Sequence, residues 1–428
     1  MSRAKNSLSE RDVISIWHPF TPQLNVMPPV AIVRGDGALL FDEEGNSYID
    51  AIASWWVNLH GHAQPYLAEK ISAQLKNLEH VLFSGYTHEP AVLLAERLLG
   101  HLPYLNKVFY SDDGSTAVEV ALKMAFQYWH NSDRPRIKVV AFENGYHGDT
   151  FGSMSVGARN VFSQAFDKML FEVIHIPVPL KGCEEKSFLA MDNALQKDDV
   201  AAFIFEPLIQ GAGGMVMYEA KALDVLIGKC KSKNVIAIAD EVMTGFGRTG
   251  KMFATDYCVN KADIVCLSKG LTGGFLPMGT TVCTEKIHTA FLTFDKTKTF
   301  FHGHSYTANP IACTAALASL DLLEKNECWN AIENISSSIK NACEKFSKNK
   351  SVNEARSFGT ILALEIKTPE ATEYLNPLAD RVHEFFPKHG IILRPLGNIL
   401  YILPPYCITN DQLEKVFTTI ETFLSNQN

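Results

Sequence analysis

The residues best suited to chemistry stand where short apolar runs end. Ala239-Asp240-Glu241-Val242 closes one run and passes into Thr244-Gly245-Phe246-Gly247-Arg248-Thr249-Gly250. In an open α/β sheet the carboxyl ends of the strands face ligand, so Asp240 is placed to meet one. A solvated loop carboxylate is the plain alternative. Lys269 closes a second run, Asp263-Ile264-Val265-Cys266-Leu267-Ser268, and is hemmed in by Gly270, Gly273 and Gly274. A lysine so placed is poorly set to snorkel to water, and one kept neutral by its surroundings can form a Schiff base with a carbonyl. Asp113-Gly114-Ser115-Thr116-Ala117 stands between a strand and a helix pattern. Its backbone N–H groups and the hydroxyls of Ser115 and Thr116 suit an anion, although an ordinary N-cap has the same composition. Gly145-Tyr146-His147-Gly148-Asp149-Thr150 follows another apolar run and offers an aromatic plate.

Together these pieces describe one cofactor. A phosphate nest, a ring to stack on, a carboxylate that keeps a pyridine nitrogen protonated and an amine that takes an aldehyde are the needs of pyridoxal 5′-phosphate. Other sites are excluded by spacing. His60 with His62, and His302 with His304, have no nearby cysteine or carboxylate at metal-ligand spacing, so no metal is expected. Gly211-Ala212-Gly213-Gly214 lacks the Lys-Ser or Lys-Thr of a nucleotide loop.

The elements that must hold these residues are legible in the alternation of apolar runs and amphipathic segments between about Lys107 and Cys283. Strands are expected at Lys107–Ser111, Lys138–Phe142, Ala201–Phe205, Val235–Ala239 and Ile264–Leu267, each short, apolar and bounded by turn residues. Helices are expected at Ser115–His130, where Ala117, Ala121, Met124, Ala125 and Tyr128 share a face, and at Tyr218–Lys233. This is an α/β pattern with a mainly parallel sheet flanked by helices. The ends differ. A hairpin is expected within Ile32–Ile52, with Leu39, Phe41 and Tyr48 flanking the turn Asp42–Asn46. The C-terminal third carries helices at Asn330–Lys348, Asn376–His389 and Asp411–Leu424, the last capped by Thr409 or Asn410. Its strands are Ile361–Ile366, Ile391–Arg394 and Ile399–Leu403. A large domain over residues 61–325 and a smaller α+β domain built from 1–60 and 326–428 are therefore expected.

Composition sets the class. The chain has 428 residues, 46% hydrophobic and 20% charged, with a formal net charge of −8. That is globular composition without a general attraction for nucleic acid. No run of about 20 apolar residues is present, so no membrane partner is expected, and the polar stretch Met1–Asp12 lacks the apolar core of a signal peptide. Nine scattered cysteines without CxxC pairs suit free thiols in a reducing, cytoplasmic compartment.

The ordered motifs Gly-Ser-Thr-Ala, Gly-Tyr-His-Gly, Glu-Pro…Gln-Gly-Ala-Gly-Gly, Asp-Glu-Val…Thr-Gly-Phe-Gly-Arg-Thr-Gly and Ser-Lys-Gly resemble the class III (ω-amino) aminotransferases of fold type I. The resemblance spans nearly the whole chain. It implies Lys269 as the lysine that takes the pyridoxal aldehyde, Asp240 as partner of the pyridine nitrogen and Tyr146 as the stacking ring. It also implies Gly114 and Ser115 at the phosphate, Gln210 near the cofactor phenolic oxygen and Val242 on the opposite ring face. Ser305, in Phe301-His302-Gly303-His304-Ser305-Tyr306, matches a residue that reaches the phosphate of a neighbouring subunit, which implies a homodimer with shared sites.

Ile16-Trp17-His18-Pro19-Phe20-Thr21, Ala53-Ser54-Trp55-Trp56-Val57-Asn58-Leu59-His60-Gly61-His62 and Arg394-Pro395-Leu396-Gly397-Asn398 resemble the branch of that family serving biotin synthesis. This implies transfer of the amino group of S-adenosylmethionine to 8-amino-7-oxononanoate. Trp55 and Trp56 form a wall for a long aliphatic chain, or simply pack in a core. Arg394 suits bidentate capture of a distant carboxylate. Phe20 and Gly303 complete the expected substrate contacts. Phe20 stands where the family carries a tyrosine, and Leu396 where an aromatic is familiar; Tyr86 and Tyr306 are candidates to replace the missing hydroxyl. The alternatives are a relative acting on ornithine, γ-aminobutyrate or a diamine, the same acceptor with lysine as donor, and an aminomutase that needs no amino donor.

Overall fold

The computed structural model describes residues 7–24 and 27–426. The first six residues of the polar N-terminal stretch lie outside them. A seven-stranded sheet forms the centre, in the order Lys107–Ser111, Gly279–Cys283, Ile264–Leu267, Ile236–Asp240, Val200–Phe205, Lys138–Phe142, Val173–Ile176. Every neighbouring pair is parallel except those made by Gly279–Cys283, which runs antiparallel to both its partners. The strands Val200–Phe205, Ile236–Asp240 and Ile264–Leu267 are buried along their whole length. Burial on both faces is why they read as unbroken apolar runs.

Two strands of this sheet escape the sequence pattern. Val173–Ile176 is an edge strand and is mostly half-buried. Gly279–Cys283 carries Thr280 and Thr281, both buried; the hydroxyl of Thr281 donates to the Ala117 carbonyl at 2.7 Å. A hydroxyl satisfied in this way lets a polar-looking segment enter a core. Gly279 itself is forced by close approach, because a Cβ there would lie 2.1 Å from the Asp113 carbonyl oxygen.

The helix Gly114–Asn131 starts on a capping box, with Asp113 accepting from the Thr116 N–H and Thr116 answering to the Asp113 N–H. Its face of Ala117, Ala121, Met124 and Ala125 packs on Val139, Ile204, Ile238 and Ile264 of the sheet. The small side chains let helix and sheet lie close. On the opposite face of the sheet, helix Ala220–Ser232 buries Leu223, Leu226 and Ile227 with Val140, Phe203 and Ala237.

The expected hairpin is present as Leu39–Asp42 and Ser47–Asp50, preceded by an antiparallel strand Ile32–Asp36. Asp42 organises the turn: its carboxylate accepts from the N–H groups of Glu44 and Asn46, from the Asn46 amide and from the Tyr48 hydroxyl. The short strand Ile391–Ile392 adds to Ser47–Asp50 in parallel, so C-terminal chain completes an N-terminal sheet. A second small sheet holds Val352–Phe358, Ile361–Ile366 and Ile399–Ile402, all antiparallel. Val352–Phe358 lies outside the expected strands: its sequence is polar because only Val352 is buried, with Asn353 and Glu354 exposed and the rest half-buried. The last helix, Asn410–Ser425, is capped by Thr409 through a capping box with Gln412.

Candidate functional site

The carboxyl ends of the central strands open into a cavity of about 630 Å³ whose lining includes Trp56, Gly114, Ser115, Tyr146, Glu206, Asp240, Val242 and Lys269. Asp240 ends the strand Ile236–Asp240. One of its carboxylate oxygens pairs with His147 Nδ1 at 2.7 Å and the other accepts the Val242 N–H at 3.1 Å. His147 is almost wholly buried, so this pair is fixed in a dry setting. Lys269 begins a single 3₁₀ turn, with φ +45°, a strained value for a side-chain-bearing residue. Its Nζ lies 4.7 Å from the centroid of the Trp56 ring. Burial lowers the Lys269 pKa below the ordinary lysine value, against the opposing pull of Asp240 and Glu206.

Opposite these groups is the N-terminus of helix Gly114–Asn131, at Gly114 and Ser115. The Ser115 hydroxyl accepts the Thr150 N–H at 3.0 Å and bonds the Thr150 hydroxyl at 2.8 Å. Two glycines make room here. A Cβ on Gly114 would sit 2.7 Å from Val242 Cγ1, and one on Gly148 would sit 2.3 Å from Ser115 Oγ. Thr116, read as a hydroxyl donor toward the same anion, is instead spent on the helix cap and on Asp112. Tyr146 lines the cavity and donates its hydroxyl to Asp149 at 2.9 Å.

Two residues of the site were quoted in motifs without being assigned a part in it. His147 is one. Glu206 is the other: it is fully buried, accepts the Tyr146 N–H at 3.0 Å and the Gly211 N–H at 2.7 Å, and burial pushes it up to about 7. It follows the strand Val200–Phe205, so the rule that singled out Asp240 and Lys269 also finds it. Glu241, the neighbour of Asp240, faces away and ties Thr244, Ala254 and Thr255 together. Arg248, in the glycine-rich turn, is also structural: it is buried and donates to the carbonyls of Pro404 at 2.6 Å and Asn58 at 3.1 Å. Gln210 is buried beneath the Gly145 turn with its amide donating to the Glu143 carbonyl at 2.8 Å, and it is not part of the cavity wall.

The two tryptophans part company. Trp56 is buried, with its indole N–H donating to the Tyr401 hydroxyl at 2.9 Å, whereas Trp55 is 39% exposed. Trp55 packs edge-on against Phe20 at 5.5 Å, and the Arg394 guanidinium lies 5.1 Å from its ring centroid. Arg394 also donates to the Phe20 carbonyl at 3.4 Å and to the Tyr374 hydroxyl at 3.3 Å. Tyr86 and Tyr306 are exposed and outside the cavity wall, so neither brings a hydroxyl to it within this chain. Gly303 and Ser305 are likewise exposed and outside that wall. The histidine pairs have other partners: His60 bonds Ser319, His62 bonds Asp50 and Asn58, and His302 bonds Lys123.

This set fits pyridoxal phosphate on its own chemistry. The helix N-terminus and Ser115 suit a phosphate, in a cradle that a Cβ at Gly114 or Gly148 would fill. Asp240, hydrogen-bonded to His147, suits a protonated ring nitrogen, and Val242 and Tyr146 supply flanking surfaces. Lys269 offers a buried amine of lowered proton affinity.

Comparison with known proteins agrees with this geometry. The family model "Aminotransferase class-III" matches residues 21–424. The chain is 46% identical to the adenosylmethionine-8-amino-7-oxononanoate aminotransferase of Synechococcus elongatus, over 96% of this chain and 98% of that one. The crystal structure of the enzyme of the same name from Methanocaldococcus jannaschii superposes with a TM-score of 0.92 at 36% identity, covering 97% of this chain and 98% of that one. A pyridoxal-phosphate-bound amine transaminase from an uncultivated Pseudomonas species gives a TM-score of 0.90 at 30% identity, covering 96% and 98%.

Proposed function

The chain belongs to the class-III aminotransferases, and from that premise we propose that it moves an amino group from S-adenosylmethionine to 8-amino-7-oxononanoate, giving 7,8-diaminononanoate for biotin synthesis. The cofactor is pyridoxal 5′-phosphate, held by Gly114, Ser115, Tyr146, Asp240, Val242 and Lys269, with Gln210 supporting the Gly145–Tyr146 turn from below. When bound, it supplies an electron sink that makes the amine-bearing carbon of a substrate acidic.

The chain's own groups do the rest in two half-reactions, with the deaminated donor leaving before the acceptor enters. Lys269 Nζ, its proton affinity lowered by burial, would take the proton from the donor's amine-bearing carbon and hand it to the bound cofactor within the same half-reaction, and would carry a proton the opposite way in the second. Asp240 would face a ring nitrogen, its carboxylate oriented by the His147 hydrogen bond behind it. Trp56, under the lysine amine, excludes water from the reacting atoms. Arg394 binds the acceptor carboxylate at the mouth, while Trp55 and Phe20 cover the aliphatic chain between.

The observation that carries this reading is the pairing of Lys269 on one tryptophan with Arg394 on the next. A substrate reactive at one end and carboxylated at the other would span the Lys269 amine and the Arg394 guanidinium. We assign residues 61–325 to a large domain and residues 1–60 with 326–428 to a small one, a division supported by the Ile391–Ile392 strand joining the N-terminal sheet. We further assign a cytoplasmic homodimer in which Gly303 and Ser305 of one copy serve the other's cavity. Exposed Trp17, Leu82, Tyr86, Phe301 and Tyr306 support that surface being covered.

The test is mass-spectrometric detection of diaminononanoate from the purified chain with the cofactor, the oxononanoate acceptor and a panel of donors. Product with S-adenosylmethionine is expected. Product with lysine alone reassigns the donor, and turnover only with ornithine or γ-aminobutyrate chemistry overturns the proposal.

A further inference from the structure

Five side chains close on one another beside Tyr146 of the cavity wall. Tyr374 meets Phe162 with ring centroids 4.6 Å apart, Phe162 meets Phe20 at 5.8 Å, and Phe20 meets Trp55 at 5.5 Å, all edge-to-face. Arg394 then lies 5.1 Å from the Trp55 ring and donates to the Tyr374 hydroxyl at 3.3 Å, which completes the circuit. Phe162 also faces Tyr146 at 6.4 Å, so the circuit connects to the cavity wall.

Neither Tyr374 nor Phe162 lies in any of the motifs above. Both are nonetheless held in place. Phe162 follows a turn in which the Asn160 side chain accepts the Phe162 N–H at 2.9 Å. The Tyr374 segment sits on Gly397, at φ +61°, where a Cβ would lie 1.8 Å from the Glu373 carbonyl oxygen and 3.2 Å from Tyr374 Cα. The Thr372 hydroxyl below it accepts from Asn398 at 3.2 Å. The stretch Arg394-Pro395-Leu396-Gly397-Asn398 thus both carries the guanidinium and seats the tyrosine that meets it. Arg394 reaches Phe20 through the main-chain carbonyl, so phenylalanine at position 20 costs that contact nothing.

We propose that Tyr374 and Phe162 determine specificity for the acceptor. The Tyr374 hydroxyl positions Arg394 for a carboxylate, and Phe162 closes the aromatic collar around the aliphatic chain behind it. Edge-to-face rings present flat apolar surface to methylene groups and leave a single charged point on the rim. The inference rests on the proposed reading of Arg394 as the carboxylate anchor, and deepens it.

The experiment compares holoenzyme with the variants Tyr374→Phe and Phe162→Leu, in which ring or apolar bulk is kept so that folding is retained. Steady-state kinetics are read for donor and acceptor separately, and binding of nonanoate, an unreactive carboxylate of similar chain length, is followed by calorimetry. The expected result is an acceptor KM and a nonanoate Kd raised about tenfold in Tyr374→Phe, the size of a lost charge-assisted contact, and about fivefold in Phe162→Leu, the size of lost edge-to-face ring contacts. The donor KM and kcat stay within about twofold. Wild-type-like acceptor KM and nonanoate Kd in both variants overturn the specificity role while leaving the proposed reaction standing. A wild-type enzyme that neither binds nonanoate nor uses the oxo acid overturns both.

Discussion

Replacing Ser54 by glycine and by alanine should give stabilities in the reverse of the usual order. Four consecutive non-glycine residues carry positive φ: Ala53 at +50°, Ser54 at +46°, Trp55 at +75° and Trp56 at +74°. The N–H groups of Trp56 and Val57 bond the carbonyls of Ile52 and Ala53 at 2.9 Å, so the segment is one left-handed helical turn. Such a conformation costs a side-chain-bearing residue about 1–2 kcal/mol. Four of them store about 4–8 kcal/mol, which the surroundings must offset. Asp50 is one source: its fully buried carboxylate accepts the Ser54 hydroxyl at 2.7 Å and the His62 ring at 2.9 Å. Both substitutions delete the Ser54 bond and its contribution of about 1.5–3 kcal/mol. Ser54→Gly alone also relieves about 1–2 kcal/mol of backbone strain, less the 0.5–1 kcal/mol or so that glycine's unfolded freedom costs. Glycine should therefore be the more stable variant by up to about 1.5 kcal/mol, whereas in an ordinary helix it is the less stable by about 1 kcal/mol. Ser54 is solvent-exposed, so no cavity confuses the comparison. Urea titration followed by tryptophan emission and ellipticity reads the difference. An alanine variant equal to or more stable than glycine would refute the claim that this turn is strained.

Other outcomes follow from neighbouring groups. Burial holds Glu206 protonated up to about pH 7 in the folded chain, while an unfolded glutamate ionises near 4.5. The folded state therefore binds more protons between those values, and this group makes stability fall as pH rises from about 4.5 to 7, by up to roughly 3 kcal/mol. Glu206→Gln should remove that part of the slope in a pH series of denaturation midpoints. Arg248→Lys should cost about 2–4 kcal/mol in chemical denaturation, because one ammonium cannot reach both the Pro404 and Asn58 carbonyls that the fork spans. Lys269→Ala should leave ellipticity and melting near those of the parent while abolishing amino transfer; transfer that persists in that variant removes Lys269 from the reaction.

What could be read from the sequence follows burial. The central strands were found because Val200–Phe205, Ile236–Asp240 and Ile264–Leu267 are buried on both faces and therefore carry uninterrupted apolar residues. Asp240 and Lys269 stood out because a charged residue ending such a run must be accounted for by a ligand or a partner. The same logic reaches Glu206 and His147, each a polar residue buried at a strand end within a motif whose other members carry the more familiar chemistry. The collar was out of reach for a different reason. Phe162 and Tyr374 lie 212 positions apart in loops with no periodicity, and their meeting depends on tertiary packing between distant segments. Gly397 is the one local trace of that packing, since its positive φ and the closeness of Glu373 leave no room for a side chain. The left-handed turn is hidden more completely still. Ala-Ser-Trp-Trp contains no glycine to announce positive φ, and its conformation is imposed by Asp50, Ile52 and the walls against which Trp56 packs. Strain of that kind is visible only once the groups that enforce it are in place, and here it lies where one tryptophan underlies the Lys269 amine and the other faces the Arg394 guanidinium.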